Sequence, residues 1–189
     1  MMEKQDILYE GGNTMKTRKM NLNEITKAVD PIVAMRQNNW YLVSATDKSG
    51  KTNALTAAWG GFGNVCEKKA ATVYIRPQRY TKRFMDESGR FTMTYFDFDK
   101  YGKALGYMGS RSGETEPDKV KNAGLTLTEI DGQPTYEEGK YVIICKTFFR
   151  QQLAPENFTD PEVRDASFPD KDYSVMYIAE IEAAYEILG

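Results

Sequence analysis

Residues 52–84 read TNALTAAWGGFGNVCEKKAATVYIRPQRYTKRF. Asn53 to Trp59 form a strand of mostly small residues that ends on a tryptophan. Gly60, Gly61, Phe62 and Gly63 read as a flexible turn. Ala71 to Ile75 is a second β-rich run, and it leads into Arg76-Pro77-Gln78-Arg79-Tyr80-Thr81. Proline is favoured in the first turn of a helix, where its missing N–H would lack a partner anyway, so Pro77 predicts a helix to about Ser88. The amides and dipole of such a first turn attract anions, and arginine grips phosphate oxygens in pairs. Arg76, Arg79 and Thr81, with Thr56 facing them from the first strand, therefore compose a phosphate cradle. Read alone, the same residues also fit a solvated surface helix. Small side chains from Asn53 to Ala58 let a flat ligand lie against backbone, although they equally suit a close strand crossing. Small strand, tryptophan and cradle in one segment fit a flat ring system with a phosphorylated tail.

Working outward, Asn39 to Ala45 is a strand, and Asp47 to Lys51 is a turn with Gly50 suited to positive φ. These residues make Asn53–Trp59 the second arm of a hairpin. Phe91 to Phe96 alternates as a strand, and Asp99 to Met108 carries a helical apolar stripe of Tyr101, Leu105 and Met108. Gly109 to Glu116 reads as a loop and Pro117 to Ala123 as a short helix stopped by Gly124. Leu125–Ile130 and Lys140–Leu153 are strands, with a turn at Asp131-Gly132. Leu153 to Asp172 is a polar excursion holding Pro155, Pro161 and Pro169. Tyr173 to Leu188 reads as a final strand, despite helix formers between Glu180 and Tyr185. Near the start, residues 1–20 read as a mobile leader. Asn21 or Asn23 caps a helix that ends at Asp30-Pro31. Residues 21–189 read as one domain. Many short strands with glycine turns predict a mainly β barrel with peripheral helices.

Composition narrows the chemistry. The net charge of −2 carries no basic field of the kind that binds nucleic acid. No apolar run is long enough to span a bilayer and no signal-peptide pattern opens the chain, so the expectation is a cytoplasmic protein. Cys66 and Cys145 lack metal-ligand spacing and read as free thiols. The chain has no histidine, which removes Ser-His-Asp and Cys-His sites and imidazole-bound metals. An enzyme with this inventory takes its reactive group from a cofactor.

Asn53, Thr56 and Trp59 in an N-x-x-T-x-x-W strand, followed by Arg76, Pro77, Arg79 and Thr81 in an R-P-x-R-x-T segment, resemble the flavin reductase-like family of FMN-binding split barrels, to which flavoredoxin is related. Ser112-Gly113 and Asp118-Lys119 are similar to its S-G…D-K segment. The similarity runs from about Val29 to Ile181. It implies a split β-barrel of Greek-key order. It also implies FMN held by Asn53, Ala54, Leu55, Thr56, Trp59, Arg76, Pro77, Arg79, Tyr80, Thr81 and Lys119. Backbone N–H groups of Asn53 to Leu55 would meet the ring edge, Trp59 would line the ring pocket, and Lys119 is either a cation near the ring or a solvated helix lysine. No side chain is expected to be catalytic, because the flavin carries the chemistry, and no metal is expected. NAD(P)H or a redox protein would exchange electrons with it. A flavin reductase, a flavoredoxin-type carrier and a non-catalytic flavin-binding barrel stay open as readings. Relatives often carry a histidine before the last strand; here Ser174 to Glu180 has none, which puts the substrate in question. Open strand edges and the apolar residues on both sides of Lys140–Leu153 predict a homodimer, which the resemblance also implies, and the Pro155–Asp172 excursion is expected to reach toward the partner.

Overall fold

The computed structural model describes residues 15–30 and 40–188. Strands β1 (Lys16–Lys19), β2 (Tyr41–Thr46), β3 (Thr52–Ala57), β4 (Gly60–Val65), β5 (Lys68–Ile75), β6 (Arg90–Tyr95), β9 (Tyr141–Gln152) and β10 (Val175–Leu188) form one antiparallel sheet of order β3-β2-β6-β9-β10-β5-β4, with β1 on β10. Strands β7 (Leu127–Ile130) and β8 (Gln133–Tyr136) make a separate hairpin. The helices are α1 (Leu22–Ala28), α2 (Thr81–Ser88), α3 (Phe98–Ser110), α4 (Lys119–Asn122) and α5 (Pro161–Ser167). Strand β5 lies beside β10 while its successor β6 lies beyond β9, which is the Greek-key crossover. The two outermost strands, β3 and β4, are joined by Ala58 and Trp59 alone. Three Cα steps span at most about 11 Å, so the sheet must curl until its edges approach. That is the split barrel expected from the sequence.

Period-two alternation fills the barrel. Val43, Leu55, Val73, Phe91, Met93, Ile143, Cys145 and Tyr177 point inward, plugged by Phe84 and Met85 of α2. Leu42 and Ala54 point outward and are covered by Leu105 and Met108 of α3. Val142 and Ile144 pack with Tyr185 and Ile187. Helix α1 starts on a capping box, Asn21 with Glu24.

Several expectations change. The leader read to Met20 includes β1, whose Arg18 pairs with Glu186 at 2.7 Å; residues 1–14, Pro31, Asn39 and Gly189 lie outside the described residues. Gly60 to Gly63 is strand rather than turn, because β5 needs a partner at its edge. The turn sits at Cys66-Glu67, both at left-handed φ of 52° and 58°, where the primed hairpin turn normally takes Asn or Gly. Pro77 occupies a turn closed by Arg79 N donating to Arg76 O at 3.1 Å, and the helix begins at Thr81. Strand β8 and helix α5, capped by Asp160, were not foreseen. Glu180 to Tyr185 is strand. No described helix is long and apolar enough to cross a membrane.

The close approach of β4 to β5 is testable. A Cβ on Gly60 would stand 2.3 Å from the Thr72 carbonyl oxygen, whereas one on Gly63 meets nothing within 4 Å. Gly60→Ala is expected to cost about 3 kcal/mol in urea unfolding, and Gly63→Ala far less. Equal midpoints for both variants would refute the β4–β5 pairing.

Candidate functional site

Strand β3 ends the sheet, so among the described residues one of its edges has no strand partner. Lys119, at the start of α4, reaches this edge and donates Nζ to the Ala54 carbonyl at 2.5 Å and to the Arg111 carbonyl at 3.1 Å. The N–H and C=O of one strand residue point the same way, so the Ala54 amide shares the open edge. Asn53 and Leu55 turn their backbones toward β2. Their side chains point inward: Leu55 enters the core, and Asn53 donates Nδ2 to Thr81 Oγ1 at 2.9 Å. Asn53 is 6% and Thr81 1% exposed. Gly113 lies against the same amide, since a Cβ there would stand 2.1 Å from Asn53 Oδ1. Segment 111–119 thus closes onto β3, and only glycine fits at that contact.

The cluster is electropositive. Lys119 is 2% exposed, and its two partners are neutral carbonyls. Burial, with the nearby Arg79 charge, pulls its pKa down to about 8, against a small upward pull from Glu116. Arg79 is itself partly buried, and burial lowers its pKa. Its Nη2 is fully enclosed without a hydrogen-bond partner, and neither cation forms an ion pair among the described residues. Buried cations are ordinarily paired. Two together, neither in an ion pair with a carboxylate among the described residues, describe a place for an anion.

Of the residues picked from sequence, the structure brings Asn53, Ala54, Thr81, Arg79 and Lys119 together. Tyr80 flanks them with its ring between Lys51 and Arg83, whose charges lie 5.6 and 4.7 Å from its centroid. Thr56 turns away and donates Oγ1 to the Leu105 carbonyl at 2.6 Å, fastening α3. Pro77 is an exposed turn residue. Arg76 belongs to a neighbouring group. It pairs with Asp172, donates Nη2 to the Ser167 carbonyl at 2.8 Å and stacks 4.6 Å from the Phe168 ring and 5.7 Å from Trp59. Trp59 is 46% exposed and meets Phe168 edge-on. Sequence reasoning missed the carbonyl of Arg111 and the roles of Phe168 and Asp172. Ser112-Gly113 was noted but not its contact with Asn53. Nothing in the sequence flags Asp172, which lies 96 positions from Arg76.

No family model matches the chain. An uncharacterized protein of Aeropyrum pernix is 27% identical over 128 residues, which is 67% of this chain and 45% of that protein, so less than half of that relative is spanned. Solved structures share the architecture. An FMN-binding domain of a flavin reductases-like enzyme from Shewanella baltica superposes with TM-score 0.64 at 20% identity, covering 92% of this chain and 78% of that one. The flavoredoxin of Desulfovibrio vulgaris gives 0.59 at 24% identity over 79% and 69%. That of Methanosarcina acetivorans gives 0.60 at 19% over 78% and 68%. The fold expected from the sequence is therefore the fold observed, a split barrel shared with flavin reductase-like proteins and flavoredoxins.

Proposed function

We propose that this chain binds FMN and is an oxidoreductase, passing electrons from NAD(P)H or a redox protein through the bound flavin. The observation that carries the reading is the partly buried Arg79 beside the buried Lys119, neither in an ion pair with a carboxylate among the described residues. A phosphomonoester brings between one and two negative charges near pH 7, enough to compensate both. Arg79 Nη2 and the Thr81 hydroxyl are the groups that would hold it. The open edge of β3 at Ala54 would meet the polar edge of the ring, and the exposed face of Trp59 would border it. Bound flavin supplies hydride and single-electron chemistry, which the side chains here lack. The chain's own contribution is to orient the ring on β3, to keep water from the Asn53–Thr81 contact, and to hold a positive charge at Lys119 Nζ where reduction builds negative charge. The names of the Shewanella and flavoredoxin structures support FMN.

The test is the visible spectrum of the purified protein, followed by mass spectrometry of the released chromophore. FAD, or no flavin affinity at all, would overturn the reading. Two of the solved structures above are flavoredoxins, which favours an electron carrier as the second reading. Bleaching by NADH or NADPH alone marks a reductase. Bleaching by dithionite only marks a carrier.

We further propose a homodimer. Phe148 and Phe149 are 38% and 42% exposed on neighbouring positions of β9, where a bulge interrupts the register with β10. Two adjacent exposed phenylalanines suit a two-fold contact that presents one patch twice. Light scattering is expected to give twice the chain mass of 21.5 kDa. Phe148→Asp with Phe149→Asp should yield monomers. A parent that is monomeric at micromolar concentration refutes it.

A further inference from the structure

Residues 153–173 cross the protein beside the candidate site with a single buried side chain, Phe168 at 3% exposure. Everything else on this strap is exposed or half-buried. Phe168 sits against Trp59, Phe158 and Tyr173, with the Arg76 guanidinium over its ring. Asp172 then fastens the end of the strap to the turn before α2. One carboxylate oxygen pairs with Arg76 Nη1, and the other accepts from Gln78 Nε2 at 2.7 Å. Both partners hold the Asp172 carboxyl below the usual carboxylate range, Gln78 foremost, so it is ionised at neutral pH. This carboxylate lies on the Arg76–Arg79 turn as an external anion would. The Arg79 amide closing onto the Arg76 carbonyl makes both arginines leave the same turn.

We propose that Arg76 is shared between Asp172 and an anionic ligand, so that a phosphate ester bound at Arg79 and Thr81 draws Arg76 from Asp172 and unlatches the strap. The proposal rests on the phosphate reading above and adds a coupling to it. Two anions compete for one guanidinium, and by linkage whatever weakens one contact strengthens the other. What else holds the strap is the exposed Gln78–Asp172 hydrogen bond, one aromatic knob and, at its ends, Gln152 Nε2 on the Tyr173 carbonyl and Leu153 N on the Ser174 carbonyl; loss of the Arg76 contacts leaves its middle on the knob alone. Opening bares Trp59 and widens access to the ring face when, and only when, a phosphorylated ligand is in place. Riboflavin, with the same ring and no phosphate, leaves the latch shut.

Trypsin reads the latch directly, because Arg164 and Lys171 lie on the strap. Saturating FMN is expected to speed cleavage at these two sites several-fold in the parent, and saturating riboflavin to leave it unchanged. In Asp172→Asn the strap should be cut rapidly without ligand, and FMN should bind roughly fivefold tighter, the scale of a half-exposed ion pair. In Arg76→Ala the strap should also be cut rapidly, but FMN should bind more weakly. A purely structural latch predicts that both variants shift FMN affinity the same way. FMN that binds the parent but protects the strap, or leaves cleavage unchanged, overturns the coupling while the flavin reading stands. A parent that binds no FMN overturns both.

Discussion

Arg79→Ala is expected to weaken FMN binding by roughly ten- to a hundredfold and to leave riboflavin binding unchanged. A charge-assisted hydrogen bond to phosphate contributes about 1.5–3 kcal/mol, which converts to that range. The structure sharpens the argument, because Nη2 is enclosed with no hydrogen-bond partner among the described residues. Its desolvation is already incurred in the ligand-free protein, so the contact with phosphate comes at little further cost. The same reasoning sets a sign for stability. Without ligand, Arg79 is a partly buried charge facing Lys119, and an uncompensated charge of this kind is destabilising. Arg79→Met, which keeps the apolar stem, should therefore raise the melting temperature of the ligand-free protein while abolishing most of the stabilisation by FMN. Fluorescence titration with both flavins and thermal melts with and without FMN decide it. Equal loss of riboflavin and FMN would make Arg79 a structural residue and move the phosphate elsewhere.

What the sequence disclosed depended on how local its physics was. The β2–β3 hairpin was legible because a β-rich run and a small-residue strand flank a turn with Asp47 and Gly50. Asp47 Oδ1 indeed accepts from the amides of Ser49 and Lys51, and Gly50 has φ of 85°. Gly60 to Gly63 reads as a turn because glycine is a turn residue by local preference. Its strand state comes from pairing with β5, which only the curled sheet supplies. Pro77 was misread for a related reason: its fixed φ suits the first turn of a helix and the second residue of a β-turn alike. The two arginines that the sequence reads as a phosphate cradle divide along the same line. Arg79 stays in the cluster through its own turn, but Arg76 is claimed by a carboxylate far along the chain that no local pattern announces. Lys119 was readable only as one of two possibilities. Its burial requires β3, the 111–118 segment and α4 to meet, and that is a tertiary fact.

FMN affinity is expected to fall as pH rises past about 8, by up to tenfold per pH unit, and Lys119→Met should remove this dependence. Burial beside Arg79 places the Lys119 pKa at about 8 in the ligand-free protein, below the ordinary lysine value of 10.5. Above pH 8 the folded, ligand-free protein holds Lys119 neutral, whereas an unfolded chain keeps it charged to about 10.4. The unfolded state then binds more protons, so this group makes the ligand-free fold more stable as pH rises from 8 toward 10. A bound phosphate reverses the balance, because its negative charge favours the ammonium form and lifts the pKa. Binding above pH 8 must take up a proton, and one proton taken up lowers affinity by at most about tenfold per unit. Titrations at pH 7, 8 and 9, with calorimetry in buffers of different ionisation heat, measure both the slope and the proton. Riboflavin separates the two places the charge can act. If only FMN shows the slope, Lys119 answers to the phosphate. If riboflavin shows it too, Lys119 answers to the ring edge at Ala54, where its Nζ already stands. A flat profile for both flavins from pH 7 to 9 would mean that Lys119 faces neither, and the anion would have to be compensated by the arginines of the 76–79 turn.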